Sequence, residues 1–227
     1  MLAYVLELLY THDDFLIINK PPGLAVQGGK GIQYSLINAI EQEYHCKVWL
    51  VHRLDQETSG CIIVARSPRS AGMLSHLISS HAIQKTYAVL VAGLFPSTCK
   101  TIETPLTVQG KKVPARTLIK KVINCDAHSL LVCTLDTGRL HQIRRHCADF
   151  GFPIIGDQKY GNFEVNHQFF KTFGIKAFFL HSWQIQIKEP YQIKVSAPFP
   201  NHFLSYITIM KDRGIKNLQE LSMEEGL

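Results

Sequence analysis

Eight short runs rich in Val, Ile, Leu, Tyr and Phe recur along the whole chain, at residues 5–10, 15–19, 61–65, 86–92, 117–123, 129–135, 178–187 and 192–196. Several alternate apolar with polar side chains, the pattern of a half-buried strand. Helical segments are fewer. The clearest is 68–81, where Ser67 stands at the capping position and Pro68 fits the first helical position, which needs no amide hydrogen. Residues 35–44 and 200–210 are two more. Strands and helices do not alternate regularly, and many strand connections are short. The pattern predicts an α+β chain with a mixed, mostly antiparallel sheet flanked by helices, rather than a doubly wound parallel sheet.

The chain has 227 residues, 46% of them hydrophobic and 19% charged, enough apolar material for a real core. Whole-chain disorder and collagen-like structure are thereby excluded. No apolar run approaches the roughly 20 residues that cross a membrane, and residues 1–13 lack the basic start and cleavage signal of a secretory leader. A cytoplasmic protein with no membrane association is expected. No repeat, low-complexity tract or long linker divides the chain, so residues 1–210 read as one domain, and 211–227 as a charged tail, a frayed helix or solvated end. Twenty-four Lys and Arg against eighteen Asp and Glu give a net charge of +6, which favours a polyanionic partner. The six cysteines form no CxxC pair, and Cys61, Cys133 and Cys147 fall inside apolar patterns; reduced, buried thiols are expected.

Several local clusters could carry chemistry. The Gly-rich stretch 21–31 invites a phosphate-loop reading and fails it. Counting from Gly23, Gly28 is in place, but Gly29 stands where the lysine belongs and no Ser or Thr follows Lys30 to hold a magnesium ion. It reads as a turn-rich loop. No HExxH metal pattern occurs, and His141 and His146 are five residues apart, off a common helical face.

A compact His52-Arg53-Leu54-Asp55 cluster, followed by Thr58-Ser59-Gly60, sets an acid and cations between apolar runs, although Asp55 alone could simply bond its own turn. Further on, Gly138-Arg139-Leu140-His141-Gln142-Ile143-Arg144 reads as a glycine turn entering a helix. At about 100° per residue, Leu140, Ile143, Cys147 and Phe150 form one apolar stripe with Arg144 at its edge, while Gln142 and Arg145 point away. An arginine so placed either needs a carboxylate partner or snorkels to water. Between these clusters, Lys85 and Tyr87 open an apolar strand. The segment 100–121 carries Lys100, Lys111, Lys112, Arg116, Lys120 and Lys121 against one acid, Glu103: a solvated face, or a strip of phosphate contacts.

In this order and spacing the pieces resemble the RluA-type RNA pseudouridine synthases, from about Leu8 to Ala197. The signals are Asn19-Lys20-Pro21-Pro22-Gly23, His52-Arg53-Leu54-Asp55 with Thr58-Ser59-Gly60, Lys85-x-Tyr87, and Gly138-Arg139-x-His141-Gln142-Ile143-Arg144. They continue through Pro153-Ile154-Ile155-Gly156-Asp157 and Tyr160-Gly161 to Leu180-His181. The resemblance implies the pseudouridine synthase fold, with an active cleft along a mixed, mostly antiparallel sheet, and the family's accessory S4 domain has no room before the pattern begins. It implies an isomerase acting as a monomer on ribosomal or transfer RNA, with no cofactor and no metal. Asp55 is then the essential catalytic carboxylate, attacking sugar or base or taking a ribose proton, and Arg144 the partner that keeps it charged. Tyr87 packs on the flipped uracil, Arg53 fills the space it leaves, and His52, Lys85, Arg139 and Lys20 hold RNA.

Leu140, Arg145 and Cys147 depart from the family's usual Thr, Val and Leu, and Arg145 adds a charge that bears on substrate choice. The 25–29 stretch and residues 160–181 are closer to the large-subunit ribosomal RNA enzymes. Arg144-Arg145-His146 and the missing S4 domain point to a transfer-RNA member. Ribosomal RNA is the preferred reading. Two other classes remain at this point, a non-catalytic RNA-binding protein on the same fold and an Asp/His nucleoside hydrolase, which would release free uracil.

Overall fold

The computed structural model describes residues 6–29, 31–215 and 218. In chain order the elements are β1 (Glu7–Thr11), β2 (Phe15–Lys20), α1 (Leu36–Tyr44), β3 (Trp49–Leu50), β4 (Ser59–Ala65), α2 (Pro68–Ser79), β5 (Ile83–Ala92), β6 (Thr101–Ile102), β7 (Leu106–Val108), β8 (Lys111–Val113), β9 (Thr117–Cys125), β10 (His128–Leu135), α3 (Gln142–Asp149), α4 (Phe163–Phe173), β11 (Leu180–Ile187), β12 (Ile193–Ser196) and α5 (Asn201–Asp212). The α+β class with a large mixed sheet is as expected, and each of the eight predicted strands is present, with ends shifted by a few residues. Lys30 and most of the 211–227 tail lie outside the described residues.

The chain forms two compact units, Met1–Lys85 with His181–Pro198, and Thr86–Leu180 with Phe199–Leu227. In the first, β2 runs antiparallel to β1 and to β4, and β11 pairs with β4 in parallel and with β12 antiparallel. Alternate residues Phe15, Ile17, Cys61, Ile63, Ala65, Ile185 and Ile187 share one buried cluster with Leu74 of α2. The intervening Leu16, Ile18, Ile62 and Val64 are buried too, which is why β4 reads as an unbroken apolar run. Each such side chain contributes about 1.5–3 kcal/mol when fully buried. The α2 helix starts as predicted, with Ser67 Oγ accepting from the Ser70 amide at 3.0 Å and Pro68 following.

In the second unit β10 lies between β5 and β9, both antiparallel to it, and β6 borders β9. A short hairpin, β7–β8, carries Lys111 and Lys112. Helix α4 was not expected from the sequence. Asn162 Oδ1 caps it by accepting from the Glu164 and Val165 amides, and Gly174 ends it at a φ of 68°. Its exposed Phe163 and Phe170 break the one-sided apolar stripe by which a helix is recognised. All six cysteines are free thiols, with Cys61, Cys125, Cys133 and Cys147 buried, and no described helix is long and apolar enough to cross a membrane.

Candidate active site

Asp55 sits half-buried in the loop between β3 and β4. Its carbonyl accepts from the Thr58 amide at 3.1 Å, closing a tight turn that ends where β4 begins. His52 anchors the start of this loop: its Nε2 accepts from the Ile63 amide of β4 at 3.0 Å, so the ring hydrogen lies on Nδ1. Burial, reinforced by the nearby charge of Lys85, holds the His52 pKa well below the usual value and keeps the ring neutral. His52 is thereby tied to the β4 backbone through Nε2. Arg53 is exposed, and Lys85 is half-buried, with desolvation lowering its pKa.

Lys20 corrects an expectation. It was read as an RNA contact, yet it is 0% exposed. Its ammonium donates to the carbonyls of Pro21 at 2.8 Å, Leu24 at 2.9 Å and Gln56 at 2.9 Å, which engages all three hydrogens. The Gly23 amide donates to Gln56 O at 2.9 Å, and Gln56 Nε2 to Gly23 O at 3.0 Å. Lys20 thus fastens the Pro-Pro-Gly loop to the loop that carries Asp55. Burial lowers its pKa to about 7, against the opposing charges of Glu57 and Asp55. Beyond the turn, Ser59 Oγ lies 2.9 Å from His181 Nδ1, where β4 meets β11. Gly60 has a φ of +102°, and a Cβ there would stand 2.2 Å from the Ser182 carbonyl.

In the second unit, helix α3 begins at Gln142, later than the apolar stripe implied. Leu140 consequently lies in the preceding turn, 52% exposed, and Phe150 is exposed as well. Gln142, expected to point away, is buried. Its Oε1 accepts from Thr137 Oγ1 at 2.7 Å and the Arg139 amide at 3.1 Å, and its Nε2 donates to Arg116 O at 2.9 Å. Sequence periodicity misplaced it because a side chain at the first helical position serves the turn behind it. Arg139 is exposed, with Nε donating to Pro114 O at 3.2 Å. Tyr87 is only 6% exposed and stands opposite Cys133 on the β5–β10 ladder.

Arg144 is 9% exposed and is held by Asp157, Nε to Oδ2 and Nη2 to Oδ1 both at 2.8 Å. Its guanidinium carbon lies 5.2 Å from the Tyr160 ring centre and 5.1 Å from that of Phe178, within cation–π range. Inside this unit Asp157, to which the sequence reading gave no role, is a buried carboxylate partner of Arg144. Burial alone would raise the Asp157 pKa. The Arg144 bonds, the amides of Tyr160 and Lys159 and the Arg144 charge outweigh it and hold that pKa below the usual value. Tyr160 is fixed in turn by its hydroxyl, 3.0 Å from His141 Nδ1.

Of the predicted site residues, the first unit brings together Lys20, His52, Arg53, Asp55 and Lys85, and the second holds Tyr87, Arg139 and Arg144. The residues missed are Asp157, Tyr160 and Phe178 around Arg144, and the Ser59–His181 pair. The buried-arginine argument could have found Asp157, since Asp149 is five residues beyond Arg144 and off its helical face. In the basic strip Lys100, Lys111, Lys112 and Lys120 are exposed, while Arg116 is paired with Glu103 at 2.8 Å and Asp136 at 3.0 Å. Among the described residues no three His, Cys, Asp or Glu side chains converge as a metal site.

The fold is that of solved pseudouridylate synthases. It superposes on the human RNA pseudouridylate synthase domain containing 4 with a TM-score of 0.74 at 21% identity, covering 90% of this chain and 92% of that one. Residues 14–149 match the family described as RNA pseudouridylate synthase. The ribosomal large subunit pseudouridine synthase C of Salmonella typhimurium is 31% identical over 224 residues, 90% of this chain and 70% of that protein. Its namesake from Vibrio cholerae is 31% identical over 218 residues, 90% of this chain and 69% of that protein. The chain belongs to the RNA pseudouridylate synthase family. It is an isomerase that converts uridine in RNA to pseudouridine.

Proposed function

We propose that the substrate is large-subunit ribosomal RNA and that Asp55 carries the reaction. The observation behind the substrate is the 31% identity, across 90% of this chain, to bacterial enzymes named for the large ribosomal subunit. Isomerisation breaks the N1–C1′ bond of uridine, turns the uracil and joins C5 to C1′; the C5 proton is lost and N1 gains one. No oxidant, reductant or second substrate is needed. Asp55, in a loop pinned at both ends by Lys20 and His52, supplies the carboxylate. Arg144 supplies a cation of fixed direction, and the largely buried Tyr87 a flat face for the extruded base. Stacking of that kind is worth about 1–3 kcal/mol, comparable to the cost of flipping a base from its stack. Exposed Arg53 occupies the vacated place, and the exposed lysines of the 100–121 strip take phosphates. The reading includes a monomeric enzyme of the cytoplasm.

The test is to map pseudouridine in total RNA from a strain lacking this chain, from its parent, and from the deletion strain complemented with Asp55→Asn. Loss of one or a few sites in large-subunit ribosomal RNA, in both the deletion and the Asp55→Asn strain, is expected. Loss confined to transfer RNA would replace the substrate. Full modification with Asp55→Asn would remove Asp55 from the chemistry.

A further inference from the structure

Around Arg144 the chain has built a rigid cradle. Asp157 Oδ1 accepts from the amides of Lys159 at 2.8 Å and Tyr160 at 3.0 Å in addition to Arg144 Nη2, so the carboxylate cannot rotate without losing several bonds. Asn166 of α4 pins the same turn, accepting from the Gly156 amide at 2.9 Å and donating to Asp157 O at 3.2 Å. Two glycines allow the turn to close. A Cβ on Gly156, whose φ is +81°, would lie 1.8 Å from the Ala177 carbonyl, and one on Gly161 would lie 2.1 Å from Asp157 O.

Stability alone does not call for such an arrangement. A buried ion pair is on average no better than apolar side chains of the same volume, because desolvation offsets the attraction. What a two-point carboxylate clamp and two neighbouring rings do provide is direction: the guanidinium plane is fixed about both of its free rotations. The Asp157 pair engages Nε and one hydrogen of Nη2, and so sets where the Nη1 edge points. We propose that Asp157 and Tyr160 are positioning residues that hold the Arg144 guanidinium in the orientation that isomerisation uses; this rests on the role given to Arg144 above.

The test compares single-turnover rates of Asp157→Asn, Arg144→Ala and the double variant, with the KM for RNA and the melting temperature of each. Asn at 157 keeps an oxygen for the two amides and loses the charge. A fall of about a hundredfold in turnover is expected, the effect of a small misplacement at a reacting centre, with RNA KM nearly unchanged; the melting temperature falls as well, because Arg144 loses a buried counter-charge. In the Arg144→Ala background the same substitution should cost nothing further, since residues acting as one unit are not additive. Wild-type turnover in Asp157→Asn, or losses that simply add, would overturn the proposal. If Asp157→Asn does not fold, Tyr160→Phe decides, because it removes only the bond to His141. A lower turnover at constant KM, absent from the Arg144→Ala background, supports positioning, and wild-type turnover overturns it. Should Arg144→Ala itself turn over normally, the role of Arg144 in the reaction fails first, and the positioning role with it.

Discussion

Lys20 Nζ and the carbonyl oxygen of Gln56, the residue after Asp55, stand 2.9 Å apart, with the lysine wholly out of solvent. Its folded pKa of about 7 lies below the 10.5 usual for a lysine, so between those two values the unfolded chain binds a proton that the folded chain does not. Stability conferred at this position therefore rises with pH across that window. Measured against Lys20→Met by urea unfolding, wild type is expected to gain about 1 kcal/mol per pH unit between the two pKa values. A gap that stays constant with pH would mean that Lys20 is not desolvated as described.

Acid acts in the same direction through histidines. Burial lowers the pKa values of His52, His128, His146 and His202 below the ordinary 6.5. Below that pH the unfolded chain takes up protons that these folded rings refuse, so stability is lost as pH falls. The melting temperature is expected to drop before the carboxylates titrate. His146, bonded to Thr117 Oγ1 at 2.8 Å and Thr104 O at 3.0 Å, is a suitable probe: His146→Gln should make the drop shallower.

Gly60→Ala drives a Cβ into the Ser182 carbonyl at a positive φ and should cost more than about 2 kcal/mol in thermal unfolding. Gly72→Ala is the matched control. Gly72 lies inside α2 with nothing within 4 Å of an added Cβ, and alanine there should stabilise by up to about 1 kcal/mol. Equal effects at the two sites would contradict the close approach of β4 and β11.

Arg145 Nη1 donates to the Thr107 carbonyl at 3.1 Å, tying α3 to the hairpin that presents Lys111 and Lys112. The bond is exposed, so Arg145→Val should change global stability by no more than about 0.5 kcal/mol. Local opening is another matter. Amide hydrogens from β7 to β8 are expected to exchange faster in the variant, and unchanged exchange would show that the hairpin holds itself.

The strands were legible because each carries its own signal, an apolar run or an alternation, and the start of α2 was written in Ser67 and Pro68. Helix α4 was not, since its register comes from Asn166 gripping the 156–157 turn rather than from an apolar face. Motif order singled out Asp55, Arg144 and Tyr87 as candidates. It could not tell which basic residues face water: Lys20 and Arg53 are both cations within the motifs that carry the resemblance, and only tertiary packing makes one a buried staple and the other an exposed side chain. Asp157 escaped for a similar reason. Its partner is thirteen residues away in sequence, and no periodicity links a turn to the helix before it.

Because Arg144 is matched by Asp157, that pair presents a dipole rather than a net charge. On the roles proposed above, long-range attraction of RNA then falls to exposed cations such as Lys100, Lys111, Lys112 and Lys120. Capture and chemistry are in this way governed by different physics. Counterions compete at the lysines and weaken docking as ionic strength rises, while a clamped, desolvated arginine is shielded from them. An enzyme so arranged can lose its hold on RNA in high salt and still convert, at full speed, whatever it has already bound.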